Sequence, residues 1–150
     1  MANTAPSGVP PHTGAFRRIL VGFDGSDAAH DALRAAIALA ADLRGEAHVL
    51  LVVRPPAHSE TDEEALRATE AERENLSQGL AQVPVPERVE VSTEVLHADD
   101  PGGAIAAYAA EHGFDIVVVG GHGREQAMHR GIGQSLEGLL RHHTCPVLVV

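Results

Sequence analysis

Five short apolar runs separated by amphipathic stretches predict an α/β fold: one open, parallel, five-stranded sheet with helices on both faces. Two kinds of run carry that reading. Arg18 to Phe23 and Asp115 to Gly120 are nearly continuous apolar segments, as strands buried on both faces are, and Ala47 to Val53 and Pro146 to Val150 are further apolar runs. Val89, Val91, Thr93 and Val95 instead alternate with Glu90, Ser92 and Glu94, the period of two that marks a strand with one wet face, here assigned to a sheet edge. Strands that alternate with helices join by right-handed crossovers, and the order expected is 3-2-1-4-5.

The elements between the strands carry their own punctuation. Residues 1–16, rich in Pro, Gly and small polar types, bury too little apolar area to offset ordering entropy and are expected to form a flexible tail before a single domain over 17–150. After the first strand, Asp24-Gly25-Ser26 is a turn, with Ser26 as helix N-cap and Gly45 as the stop. Between them Ala29, Leu33, Ala36, Ile37, Ala40 and Leu43 recur at helical spacing. Thr61 and Glu64 are spaced as a capping box for a largely solvated second helix, with Leu66, Leu76 and Leu80 as its apolar anchors. Pro84 and Pro86 break the chain before the third strand. Asp100 and Pro101 start a third helix that Gly113 closes, with Ile105 and Tyr108 facing inward, and Gln134 to His142 forms a fourth.

Composition excludes several functions. The 150 residues include eleven basic and twenty-one acidic side chains, a net charge of −10, and every basic residue except histidine is arginine. Without lysine there is no P-loop lysine, no Schiff base and no lysine general base. The acidic balance disfavours nucleic acid, which is held mainly by basic side chains at phosphates. No apolar run approaches the roughly 20 residues of a membrane span, and the first residues lack a signal peptide's apolar stretch. The lone Cys145 cannot make an internal disulfide and reads as a small buried hydrophobe at a strand start, so a cytoplasmic location is expected. His142, His143 and Cys145 cluster in sequence, yet they sit where a helix end favours positive charge, and no metal is assigned.

Glycine spacing points to the ligand. In an open parallel sheet, ligands bind beyond the carboxyl ends of the strands where the winding reverses, here between strands one and four. The turns GFDGS and GGHGRE both lie at such ends. Gly120 and Gly123 allow bare backbone to approach an anion, and Gly133 opens a helix whose positive end can hold the same group. A nucleoside phosphate is the ligand implied. The chain here resembles the universal stress protein family, which pairs a first turn of the type VGFDGS (21–26) with glycine, two residues, glycine, nine residues, glycine, and a closing CPVLVV strand. The resemblance covers roughly Arg17 to Val150; the C-terminal third is its specific part, and the helix over 61–82 matches only in type.

The resemblance implies a Rossmann-like, cytoplasmic stress-response module that binds ATP, alone or with Mg²⁺, and does not consume it quickly. Carried over by position, Gly120, Gly123 and Gly133 cradle the phosphates and Asp24 and Val52 lie beside adenine and ribose; Gly25 in the first turn joins the expected nucleotide-binding set, and Arg124 either neutralises phosphate charge or is a solvated surface residue. Where the family pattern has a hydroxyl, this chain has Gln134, with Ser135 one step later and about 100° around the helix. Arg130 and Gly131 also replace apolar loop residues. The family's other branch, dimeric proteins that act through protein contacts without ATP, is the alternative that Gln134 favours. An enzyme on the same fold, such as a nucleotidyltransferase or flavoprotein, is disfavoured. Gly121 to Gln126 and Gly131 to Leu136 each lack the last glycine of the dinucleotide fingerprint, and no side chain is an obvious catalyst. Finally, the charge-free strand Pro146 to Val150 at a sheet edge invites a second copy, giving a homodimer about a two-fold axis, a surface the resemblance also implies.

Gln134 yields a direct test. A hydrogen bond to a charged group contributes about 1.5–3 kcal/mol, so Gln134→Ser is expected to tighten ATP binding about tenfold and AMP much less. Titration calorimetry with both nucleotides checks it, and equal gains for ATP and AMP would place Gln134 away from the terminal phosphates.

Overall fold

The computed structural model describes residues 15–55, 61–122 and 134–150, with the side chain of Gln134 left out. Nine elements follow in chain order: β1 (Arg18–Gly22), α1 (Asp27–Leu43), β2 (Glu46–Val53), α2 (Asp62–Ala81), β3 (Glu90–His97), α3 (Pro101–His112), β4 (Ile116–Val119), α4 (Gln134–His142) and β5 (Val147–Val149). All four strand pairings are parallel and the order is β3-β2-β1-β4-β5. The alternating strand β3 is at one edge, as its wet face requires, and β5 is at the other.

Local chemistry sets the helix starts. Ser26 Oγ accepts from the Ala29 amide at 3.1 Å, Thr61 Oγ1 from Glu64 at 3.3 Å, and Asp100 Oδ1 from Gly103 at 3.1 Å. Each satisfies an amide that the first helical turn would leave unpaired. The end of α1 departs from expectation. Arg44, not Gly45, takes the left-handed conformation, at φ 54°. Gly45 is needed for a different reason, because a Cβ there would overlap the Arg17 carbonyl oxygen as the chain enters β2 beside β1. Leu66 is also not an anchor of α2: it is exposed, while Leu76 and Gly79 are buried. Gly79 lets α2 cross closely over the Phe23 ring, which a Cβ would approach to 2.8 Å.

The sheet separates two cores. Ile19, Val21, Val49 and Val118 pack under Leu33 and Ile37 of α1 and Leu76 of α2. Leu20, Leu50 and Val117 pack on the other face under Ile105 and Tyr108 of α3 and Leu139 of α4. Helices α3 and α4 touch almost backbone to backbone, since a Cβ on Gly102 would overlap Ser135 O and lie 2.5 Å from Leu139 N. This contact draws the start of α4 towards the carboxyl ends of the strands. Buried Cys145 precedes β5 as expected, and Gly121 and Val150 extend the β4–β5 ladder through Gly121 N to Val150 O and Val150 N to Val119 O.

Candidate functional site

The chain leaves β1 towards α1 on one face and β4 towards α4 on the other, so the carboxyl ends of these adjacent strands diverge into a crevice. Gly25 is at φ +80°, a conformation that favours glycine; it lets the chain turn sharply from Asp24 into the cap of α1. Asp24 Oδ1 accepts from the Ser26 amide at 3.0 Å, so the Asp24 side chain is held at the crevice wall while Ser26 caps the helix. Across the gap, Gly120 lies against the first turn of α1. A Cβ at residue 120 would be 2.6 Å from the Ala28 carbonyl carbon and 2.7 Å from Ala28 Cβ. The two glycine-bearing turns therefore meet, and the Ser26 hydroxyl donates to the His122 carbonyl at 3.4 Å.

The crevice encloses a cavity of about 330 Å³, within the range of small-molecule sites. Its floor is Gly22, Val119 and Ile105; Val52, Val53 and Arg54 form the β2 side, Glu72 reaches in from α2, and Pro101, Ser135 and Leu136 close the α3–α4 side. Apolar side chains thus meet polar groups at the rim.

Residues 15–150 match the Universal stress protein family. The chain belongs to that family. It is 28% identical to the universal stress protein YxiE of Bacillus subtilis, over 90% of this chain and 99% of the relative. In three dimensions it resembles the universal stress protein UspA of Lactobacillus plantarum, with a TM-score of 0.69, 27% identity, and 90% and 97% of the two chains covered. The universal stress protein of Archaeoglobus fulgidus in complex with dAMP shares the fold at a TM-score of 0.61 and 20% identity, with 90% and 98% covered.

Of the positions this universal stress protein was expected to use, Asp24, Val52, Gly120 and Ser135 line one cavity. Gly25 shapes its wall from the turn. Gly123, Arg124, Gly133 and the Gln134 side chain lie outside the described residues, as do Arg130 and Gly131. The structure adds His122, Arg54 and Glu72, which the sequence did not single out. His122 follows directly from its place inside the glycine turn, whereas Glu72 has no local signal because α2 matches the family only in type. Among the described residues no three His, Cys, Asp or Glu side chains group as a metal site, and no helix is long and apolar enough to cross a membrane.

The shifted ionisations lie away from the crevice. Burial pushes the Tyr108 hydroxyl up to about 12, reinforced by its hydrogen bond to Glu94 and that carboxylate's charge. Burial likewise raises the Cys145 thiol, with the charge of Asp115 adding to it. Both groups keep their protons longer in the folded chain, so their stabilisation is complete below the unfolded values and is lost as pH rises towards the folded ones. Tyr108 is the only tyrosine and there is no lysine. Stability is therefore expected to fall between about pH 10 and about pH 12, and less so in Tyr108→Phe, which retains the Cys145 contribution. Urea unfolding at about pH 9 and about pH 11 for both proteins checks this; equal losses in the two would exclude the tyrosine as the cause.

Proposed function

We propose that this universal stress protein is a regulatory module that binds ATP in the crevice between β1 and β4, and that the site retains nucleotide rather than turning it over rapidly. The observation that carries the reading is the convergence of Asp24, Val52, Gly120 and Ser135 on one 330 Å³ cavity at the carboxyl ends of the strands. Its residues suit an adenine nucleotide. Val52, Ile105 and Leu136 offer apolar surface to a base, the Asp24 carboxylate can accept from an amino or ribose hydroxyl group, and the backbone of Gly120 and Gly121 in the cavity wall can face phosphate oxygens. The dAMP complex of the Archaeoglobus fulgidus relative supports an adenine nucleotide as the ligand class.

Gly120→Ala would be a poor test, since the added methyl collides with Ala28 and disturbs the fold as well as the site. Val52 is half buried at the rim, on the outer side of the Leu50–Ile105 core, so Val52→Trp is expected to fill the cavity, with circular dichroism checking that the fold is kept. Calorimetry is expected to show ATP binding to wild type and a loss of at least about tenfold in the variant, the equivalent of one good contact. Absence of ATP binding to wild type, with no nucleotide released from the purified protein on denaturation, would exclude the reading.

The second reading, a protein that acts through contacts with other proteins without ATP, is favoured by Gln134 at the hydroxyl position. Both readings share one assembly. Leu148, Val149 and Val150 on the edge strand are 37%, 44% and 43% exposed, and an apolar edge with unpaired backbone groups is readily covered by a second copy. Light scattering over a dilution series is expected to give a dimer that Val149→Glu shifts towards monomer; a wild type monomeric at tens of micromolar would refute it.

A further inference from the structure

The α3 side of β2 and β3 carries a chain of hydrogen bonds that nucleotide binding leaves unused. His48 and Ser92 are cross-strand partners, and Ser92 Oγ lies 2.6 Å from His48 Nδ1. The other ring nitrogen, Nε2, is 3.0 Å from the Tyr108 hydroxyl, which donates to Glu94 Oε2 at 2.7 Å. Tyrosine has one proton to give, and here it goes to a carboxylate, which only accepts. The Tyr108 oxygen must then accept from Nε2–H. That fixes the neutral imidazole tautomer and leaves the Nδ1 lone pair to accept the proton of Ser92. The chain therefore has a direction, from Ser92 through His48 and Tyr108 to Glu94.

Access is open at both ends of the chain. Ser92 is exposed, the His48 side chain is 15% exposed, Tyr108 is 7% exposed and the Glu94 side chain is 45% exposed, so solvent reaches the hydroxyl and the carboxylate while the imidazole and phenol between them are packed. His48 is four residues before Val52 on the same strand, roughly 13 Å from the crevice rim at the rise of a β-strand.

We propose that Ser92 is an activated nucleophile that accepts an acyl group from an activated ester, with His48 as general base and Tyr108 and Glu94 as positioning residues. As Ser92 Oγ bonds to the ester carbonyl carbon, its proton passes to His48 Nδ1. The tetrahedral adduct then expels the alcohol or phenol oxygen, breaking the C–O bond, and His48 releases its proton to the leaving group or to water. The imidazolium formed on the way is stabilised through Nε2–H to Tyr108 and by the Glu94 carboxylate 4.0 Å away. Burial holds the His48 pKa below 6.5, partly offset by Glu94 and Glu46, while His112 and Arg18 lower it further. The ring is thus the neutral base at pH 7.

Charge selects the electrophile. Glu46, Glu90 and Glu94 share the strand face of His48 and Ser92 by period-two alternation, against the single guanidinium of Arg18, which is bonded to Glu46. A phosphoryl donor would be repelled and a neutral acyl ester would not. Among the described residues His48 is the one side chain bonded to Ser92 Oγ, and Ser92 is exposed, so the proposal assigns the oxyanion to solvent instead of to protein donors. Without that stabilisation, stoichiometric capture is expected instead of fast turnover.

The probe is 4-nitrophenyl acetate with the full chain, read by phenolate release and by mass spectrometry of peptides. One acetyl group is expected on Ser92, formed about 100-fold faster than on exposed Ser77 of α2, the lower end of a general base's contribution. Ser92→Ala, at an exposed position, should remove that label with the fold unchanged by circular dichroism, and His48→Gln should slow it about 100-fold. The wild-type rate should rise with pH through a midpoint below 6.5, and Tyr108→Phe should move that midpoint lower, which a purely structural role would not do. Labelling of Ser92 no faster than Ser77, or an unchanged rate in His48→Gln, overturns the proposal.

Discussion

The close approach of β4 to α1 at residue 120 governs the geometry of the crevice. With any side chain at Gly120, a carbon atom would sit 2.6 Å from the Ala28 backbone, well inside van der Waals contact, and the strand end would have to move away from the helix. Because the position is glycine, the turn after β4 runs directly over the capped N-terminus of α1, and Ser26 reaches the His122 carbonyl. The same approach puts the backbone of Gly120 and Gly121 into the wall of the cavity. The α3–α4 contact at Gly102 uses the same device on the opposite side and brings Ser135 and Leu136 in to close it.

Much of this was legible in the sequence because the informative signals are local. The alternating pattern marks β3 as an edge strand, and Ser26, Thr61 and Asp100 each stand one residue before a helix, where they cap. In the sequence Gly120 signals freedom for an anion to approach; in the structure it is first a packing requirement against Ala28, an interaction 92 residues distant in sequence that no pattern reveals. Gly45 follows the end of α1 as expected, with its amide donating to the Ala40 carbonyl, but the need for glycine there has a similarly distant cause. Its bareness serves contact with Arg17, and Arg44 accepts the left-handed conformation that glycine usually takes at a helix end. The relay of Ser92, His48, Tyr108 and Glu94 left no trace in the sequence, since parallel pairing brings together residues from three elements.

The sheet thus presents two unlike environments along β2. At its carboxyl end, glycine turns strip side chains away and leave backbone and apolar walls with Asp24, Glu72 and Arg54 around them, which suits binding. Towards its amino end, the open edge beside β3 gathers a hydroxyl, an imidazole, a phenol and a carboxylate in hydrogen-bonded sequence. The edge location matters, because there Ser92 and Glu94 stay exposed while His48 and Tyr108 between them are packed.

The central claim, that the β1–β4 crevice is where nucleotide binds, is tested most directly by following backbone amide resonances of the ¹⁵N-labelled protein as ATP is added. The largest shifts are expected on residues 23–29, 52–54 and 120–122 around the crevice, while Ser92 and Glu94 on β3 stay in place. Shifts concentrated on any other surface, or none at saturating ATP, would contradict it.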